Sequence, residues 1–445
     1  MTTPTFKLSD NSYCQISDEY ALKLRRFSGL SLDKLCQENP GLLVFPHCLG
    51  ANGDNIGEAP LFSFSGEYLS VGNVVGFWGV DGVHVRIHSR FDSDERQYFF
   101  HYMLQRVSGV NLLNMDTRSD MDDIWDFLIY LFPIVLKSAL AQGIFRAYRV
   151  FSYDDAHLRG QVNVSQFIRR DIPFAGHIAY VTREHTANNH VIQLARHVIE
   201  FVRRRAPFLL SIDQGMRQAV GTIVQLTPNY EERTRNKIIA ANLRPLRHPY
   251  YSAYSSLQKI CLQILRHERI SFGENDKNIH GIVFDAAWLW EEYLARVFAE
   301  GVNTARIVHS QNKLRKSSIQ FFQSGHYPLY PDFYDNNRRL VMDAKYKRLE
   351  NAVGREDLFQ MTTYLHVLKH NQGIFLFPST SNTCQPQPVG VLKGFGGRMD
   401  RLSLSIPSIA SIAKFKDFVL KLRENEQVFR KSIEDLANPK SEFVV

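Results

Sequence analysis

Cysteine is scarce in this chain. There are 5 in 445 residues, at Cys14, Cys36, Cys48, Cys261 and Cys384, and no two stand in a C-x-x-C spacing. An odd, scattered set argues against both a disulfide framework and a zinc knuckle, so the thiols read as reduced and mostly buried. Long apolar runs are also missing. The most apolar stretch, 125–141, carries Asp126 and Lys137 and falls short of the roughly 18 apolar residues a membrane span needs. The opening MTTPTFKLSDNSYC has neither a basic segment leading into an apolar run nor a small-residue cleavage pattern, so no secretory signal is expected and the expected location is the cytoplasm. Neither G-x-x-x-x-G-K-[ST] nor G-x-S-x-G occurs, which excludes a phosphate-binding loop and a nucleophile elbow; the chain itself is expected to bind no nucleotide. His366 and His370 lack the Glu of H-E-x-x-H and read as solvent-exposed residues at a helix end. There is no internal repeat and no low-complexity segment.

What remains is an ordinary globular composition of 44% hydrophobic and 22% charged residues, long enough for two or three domains. The 53 Lys and Arg against 45 Asp and Glu give a net charge of +8, which favours a polyanionic partner. Turn signals and short alternating runs at 68–75 and 83–88 predict a β-rich first domain over 1–145, closed by a helix over 119–142 that Pro133 should kink. A basic, mainly helical middle region follows over 146–270, with a strand-like piece at 157–170 and helices over 188–205 and 254–267. Between 196 and 270 there are 13 Lys and Arg against 5 Asp and Glu, an excess equal to that of the whole chain. Such a stretch suits salt-dependent phosphate contacts, and equally a solvated helix face or a protein-docking surface. The third domain, 271–445, reads as helix 282–300, strands around a polar turn in 318–348, helix 355–369, strands at 373–378 and 402–406, and a last helix over 409–436. The cluster Gly394-Phe395-Gly396-Gly397 reads as a hairpin turn.

The richest stretch is 327–350, YPLYPDFYDNNRRLVMDAKYKRLE. A two-residue turn at Asn336 and Asn337 would pair Asp335 with Arg338 and so Asp332 with Val341. Side chains alternate along a strand, so Asp332, Val341, Asp343 and Lys345 would share one face. A three-residue turn would instead send Asp332 to the other side. Two neighbouring carboxylates repel unless a cation lies between them, and hard oxygen ligands suit Mg²⁺. With a lysine beside them, that is the chemistry of phosphodiester hydrolysis. An isolated D-x-K fits a surface ion pair just as well, and only the surroundings narrow the choice.

Those surroundings are P-D before one strand, D-A-K-Y-K ending an apolar one, and then D-L-x-Q-x-x-x-Y on a helix, with Gln360 and Tyr364 four residues apart. Together they resemble the PD-(D/E)xK nuclease core, and in particular McrC, the endonuclease subunit of McrBC-type modification-dependent restriction systems. The resemblance extends to Leu289-Trp290-Glu291-Glu292-Tyr293, with Trp where the family carries Phe, and more weakly to Leu158-Arg159-Gly160-Gln161-Val162 and Ile87-His88-Ser89-Arg90-Phe91. It implies an α/β (α+β multidomain) protein. A nuclease core with a mixed central sheet flanked by helices would follow a β-rich, partner-docking N-terminal domain and the basic middle region. It further implies Asp332, Asp343 and the Ala344 carbonyl as metal ligands, Lys345 as catalytic lysine, and Glu291 as the acidic residue from the preceding helix. Glu292 lies about 100° around that helix, so only one of the pair can face the site. Gln360, Tyr364 and Lys347 would support the site and touch the nucleic-acid backbone. The implied cofactor is Mg²⁺, with Mn²⁺ as a substitute. The implied partners are DNA and an McrB-like AAA+ GTPase ring, with no membrane. Two other readings stay open: a non-catalytic DNA-binding activator of an NTPase complex, and a stand-alone nuclease in repair or RNA processing.

Overall fold

The computed structural model of the chain describes residues 5–39, 42–45, 60–92, 96–108, 122–246, 248–270, 279–301, 304, 306–310, 318–381, 385–393, 396–408, 412 and 414–437. Cys48, Cys384, Arg247 and the Gly394-Phe395 pair lie outside them. The chain forms two compact units, one built from 1–117 with 275–445 and the other from 118–274.

Among the described residues, the first unit holds two larger sheets. One has five strands in the order Thr5–Ser9, Val83–His88, Val74–Val80, His280–Asp285 and Leu42–Phe45. Its two outer pairs are parallel and its inner pairs antiparallel. Ile282, Val283 and Phe284 are buried there, a short apolar run closed in on both faces, and this is why it forms a strand rather than the helix start expected at 282. The helix begins at Ala286, where the Asp285 carboxylate accepts from the backbone N–H groups of Ala287 and Trp288 at 3.0 and 3.2 Å. Gly76 and Gly281 make the central pairing possible. Each has a φ outside the usual range for L residues, 141° and 151°, and a Cβ on either would lie 2.1 or 2.3 Å from a carbonyl oxygen of the neighbouring strand. The stacked rings of Phe62 and Trp78, 4.6 Å apart, anchor the core beneath this sheet.

The other sheet has six strands, in the order Val308–His309, Phe333–Asp335, Leu340–Ala344, Gln372–Ser379, Arg398–Ser405 and Gln387–Val391. Leu340–Ala344, Gln372–Ser379 and Arg398–Ser405 run parallel, and the remaining pairings are antiparallel. Helix Arg355–Leu368 packs Met361, Tyr364 and Leu365 onto Val341, Phe375 and Phe377. Helices Ala286–Ala299 and Phe415–Ala437 complete the surroundings, joined by Tyr293, which donates to Glu426 Oε1 at 2.6 Å.

The second unit contains the helices Asp122–Ala141, His190–Arg205, Gln214–Leu226 and Ser252–Ile270 and a three-stranded sheet of Ala147–Asp155, Ile178–Thr186 and Gln161–Val162. The units therefore divide elsewhere than at 145 and 271. Helix Asp122–Ala141 groups with the middle of the chain, and strand His280–Asp285 sits inside the N-terminal sheet. The piece 157–170, expected as a strand, is extended only at Gln161–Val162. It then turns into helix Val164–Arg170, because the Asn163 side chain caps it by accepting from Gln166 N at 3.2 Å. No described helix is long and apolar enough to cross a membrane.

Candidate active site

The turn between Phe333–Asp335 and Leu340–Ala344 holds four residues, 336–339, rather than two. Asp335 Oδ1 accepts from Asn337 N at 2.9 Å and Arg338 N at 3.2 Å, and Arg339 takes the left-handed conformation with φ 53°. The register thus pairs Tyr334 with Val341 and Phe333 with Met342, and one step further sets Asp332 opposite Asp343 rather than Val341. A slip of two residues keeps every side chain on its face, so Asp332 still shares a side with Val341 and Asp343.

Lys345 continues the parallel ladder, its N–H donating to the Leu376 carbonyl at 2.8 Å. Its Nζ lies 2.7 Å from Asp343 Oδ2 and donates to Gln360 Oε1 at 2.9 Å, while Asp332 Oδ2 accepts from Ala344 N at 2.7 Å. Gln360 Nε2 in turn donates to the Tyr364 hydroxyl at 3.0 Å, which donates to the Tyr330 carbonyl at 3.2 Å. Lys345 is therefore held from two sides, by a strand carboxylate and by a helix amide that is itself tied to the segment entering Asp332. Lys347 points to Asp357 Oδ2 at 2.5 Å.

Burial raises the Asp332 carboxyl well above the usual range, and the negative charges of Glu291 and Asp343 push the same way. Burial also raises Asp343, although the Lys345 ammonium opposes it. For Lys345 burial disfavours the charged form, but Asp343, Asp332 and Asp357 outweigh it and the group stays cationic at neutral pH. Glu291 is buried on helix Ala286–Ala299, where its Oε1 meets His309 Nε2 at 2.9 Å; Glu292 is only half-buried. Burial lowers the pKa of His309, so this contact is a hydrogen bond with a neutral ring.

Among the described residues no three His, Cys, Asp or Glu side chains close around a point as a metal cage. The oxygen donors nevertheless suit a hard divalent cation. Two carboxylates on one face both resist ionisation, and buried Asp343 Oδ2, 2.7 Å from the lysine ammonium, receives no hydrogen bond of good angle. A cation between Asp332 and Asp343, with the Ala344 carbonyl as a further donor, would relieve both strains.

Sequence reasoning left Asp357 without a role. It is buried in the first turn of its helix and holds Lys347 while lying 3.6 Å from Lys345 Nζ. The signal was present in its spacing, since 357, 360 and 364 fall on one helical face. His370 is a correction. It is buried rather than exposed, its N–H donating to the Leu365 carbonyl at 3.0 Å where Lys369 closes the helix in the left-handed conformation. In the basic stretch, Glu200, Asp213, Glu231 and Glu232 all pair within the second unit, with Arg196 and Arg203, Lys137, Arg233 and Arg204 respectively.

A six-stranded mixed sheet that gathers two buried carboxylates and a lysine at adjoining strand ends defines an α/β protein with an acid–lysine site. A family model described as McrBC 5-methylcytosine restriction system component matches residues 69–378, and the chain belongs to that family. Its fold is similar to a chain of the refined half-complex from the tetradecameric assembly of Thermococcus gammatolerans McrB AAA+ hexamers with bound McrC. The TM-score is 0.52 at 15% identity, covering 97% of this chain and 100% of that one. A likeness to the cryo-EM structure of the Thermococcus gammatolerans McrBC complex, with TM-score 0.31 and 15% identity over 67% of this chain and 88% of that one, is too slight to carry an argument. No curated protein matches.

Proposed function

We propose that this chain is the DNA-cleaving subunit of its McrBC-type system, a Mg²⁺-dependent endonuclease of the PD-(D/E)xK kind. The observation that carries the reading is the placement of Lys345 Nζ 2.7 Å from Asp343 while Asp332 faces Asp343 across the ribbon. Asp332, Asp343 and the Ala344 carbonyl would hold the cation, with Glu291 beside them. Bound there, Mg²⁺ or Mn²⁺ would acidify a water and offset charge on the scissile phosphate. Lys345, kept charged by three carboxylates, orients the attacking oxygen or neutralises the charge that develops on the phosphate. Gln360 fixes the ammonium and Tyr364 fixes Gln360. Because the chain has no phosphate-binding loop, GTP hydrolysis belongs to an AAA+ ring partner, which this subunit stimulates in the cytoplasm. The McrB hexamers with bound McrC of the similar structure support that pairing.

The engagement of Glu291 by His309, which leaves two acidic side chains at the ribbon, favours one alternative: an activator subunit that does not cut. To separate the two, purified chain is incubated with and without its GTPase partner, on methylated and unmethylated DNA, in Mg²⁺ or EDTA, beside Asp343→Asn. Cleavage lost in the variant with GTPase stimulation intact supports the nuclease. Unchanged cleavage by Asp343→Asn rejects this site, and no cleavage by any combination leaves the activator.

A further inference from the structure

Immediately before Asp332 the chain makes a small two-stranded ribbon over 319–329, pairing Ile319 with Leu329 and Gln320 with Pro328, with Phe321 N donating to the Tyr327 carbonyl at 3.1 Å. The second strand is anchored, since Leu329 packs against the core that includes Val341 and Tyr364. The turn end of the ribbon carries three exposed rings: Phe321, Phe322 and Tyr327 are 42%, 49% and 72% exposed. They touch only edge to face, Phe322 lying 4.7 Å from Phe321 and 5.9 Å from Tyr327. Tyr327 also holds a left-handed backbone, φ 59°, that glycine would adopt freely and a bulky residue adopts at a cost. An exposed aromatic cluster and a strained tyrosine both lower stability, so folding alone does not account for them.

Charge identifies the occupant. From 301 to 331 the sequence contains Arg306, Lys313, Arg315 and Lys316 and no Asp or Glu, so the segment of sequence that carries the rings is net positive, a charge that suits a polyanion. The ribbon is continuous with the candidate site, Tyr330 being held by Tyr364 and followed by Pro331 and Asp332. A basic, acid-free segment of sequence that carries exposed rings and leads directly into the proposed cleavage site matches the chemistry of an unstacked nucleic-acid strand, whose phosphates want cations and whose bases want π-faces. We propose that Phe321, Phe322 and Tyr327 form a stacking platform for DNA bases unstacked next to the scissile phosphate. This rests on the nuclease reading and adds how the strand is presented to it.

The test uses the full chain with its GTPase partner, titrated against fluorescein-labelled duplex DNA carrying a central unpaired base and against its fully paired counterpart, at several salt concentrations. Loss of one ring, in Phe322→Ala or Tyr327→Ala, is expected to weaken binding of the unpaired-base probe roughly 5- to 100-fold. The slope of log affinity against log salt should stay unchanged, since no cation is lost, and Phe322→Trp should keep wild-type affinity. Because these rings are exposed, the melting temperature should not fall, which separates the effect from misfolding. Wild-type affinity in both alanine variants overturns the platform while leaving the nuclease reading to its own cleavage assay. Unaltered DNA binding with lost stimulation of the GTPase makes the ribbon a protein contact and also overturns it. Wild-type protein that neither binds nor cuts DNA removes both.

Discussion

Asparagine at position 332 should make the protein more stable while it destroys the site. The side chain's oxygen can still accept from Ala344 N, so the contact seen at 2.7 Å survives. What disappears is a negative charge beside Asp343 and Glu291. In the folded chain the Asp332 carboxyl is raised above 3.8 by burial and by those neighbours, so the folded state binds this proton more tightly than the unfolded state. The sign follows from linkage: stability falls as pH rises above the unfolded value and stops falling once the folded value is passed. The penalty cannot exceed the cost of keeping one carboxyl protonated, about 1.4 kcal/mol per pH unit above 3.8, or about 5 kcal/mol at about pH 7.5. Asp332→Asn should recover about 1–4 kcal/mol of this, which raises the melting temperature by roughly 2–8 °C for a unit of this size. Thermal melts in EDTA at about pH 7.5 and about pH 4.5 measure it, and the gain should shrink at the lower pH. A variant that melts no higher than wild type near neutral pH, or whose advantage is the same at both values, refutes the account of Asp332 as an electrostatically strained carboxylate.

Lys345→Met, which keeps the aliphatic stem, should cut DNA about 100-fold more slowly or worse when assayed below its own melting temperature, which should fall near neutral pH because buried Asp343 loses its cation, and Lys345→Arg should not restore the rate because a planar fork cannot replace a compact ammonium between Asp343 and Gln360. EDTA should abolish cleavage and Mg²⁺ or Mn²⁺ restore it; the same ions should raise the melting temperature of wild type but not of Asp332→Asn, as read by differential scanning fluorimetry. Tyr346→Phe should cost about 1 kcal/mol in denaturant unfolding through loss of its 2.7 Å hydrogen bond with Ser89; Ser89→Ala should cost more, because Ser89 Oγ also accepts from Phe91 N at 3.1 Å, and the double variant should cost no more than Ser89→Ala alone.

The site was more legible than the architecture around it. Alternation along a strand is insensitive to an even slip, so Asp332, Asp343 and Lys345 could be placed on one face although the turn has four residues and the pairing differs. Helical spacing likewise brought Gln360 and Tyr364 into line, and they form a relay to Lys345. Order along the chain, by contrast, gave no access to contacts between distant segments. Strand His280–Asp285 joins Leu42–Phe45 and Val74–Val80, more than 190 residues earlier, and nothing in its local pattern announces those partners. The same limit hid the cap at Asn163, where one side-chain hydrogen bond decides between helix and strand. It also hid the burial of His370, which depends on the sheet beneath its helix rather than on the helix's own periodicity.

Alternation also explains why the motif is D-A-K-Y-K and not merely D-x-K. Asp343 and Lys345 turn to the site, so Tyr346, one step on, turns to the opposite side, where it is buried. There its hydroxyl meets Ser89 Oγ at 2.7 Å, its ring meets Phe91 edge to face at 5.0 Å, and the Arg90 guanidinium lies 5.5 Å from the ring centre. Arg90 is itself fixed, its Nε donating to Asp10 Oδ2 at 2.7 Å and its Nη2 to Asn73 Oδ1 at 2.5 Å. The Ile87-His88-Ser89-Arg90-Phe91 segment that resembles the family in the first hundred residues therefore grips, from behind, the backbone that carries the site lysine. A lysine that must hold its ammonium within hydrogen-bonding distance of Asp343 and Gln360 cannot tolerate a backbone free to slide. The N-terminal sheet supplies that restraint, which gives a physical reason for the first 117 residues and the last 171 to fold as one unit around an insertion.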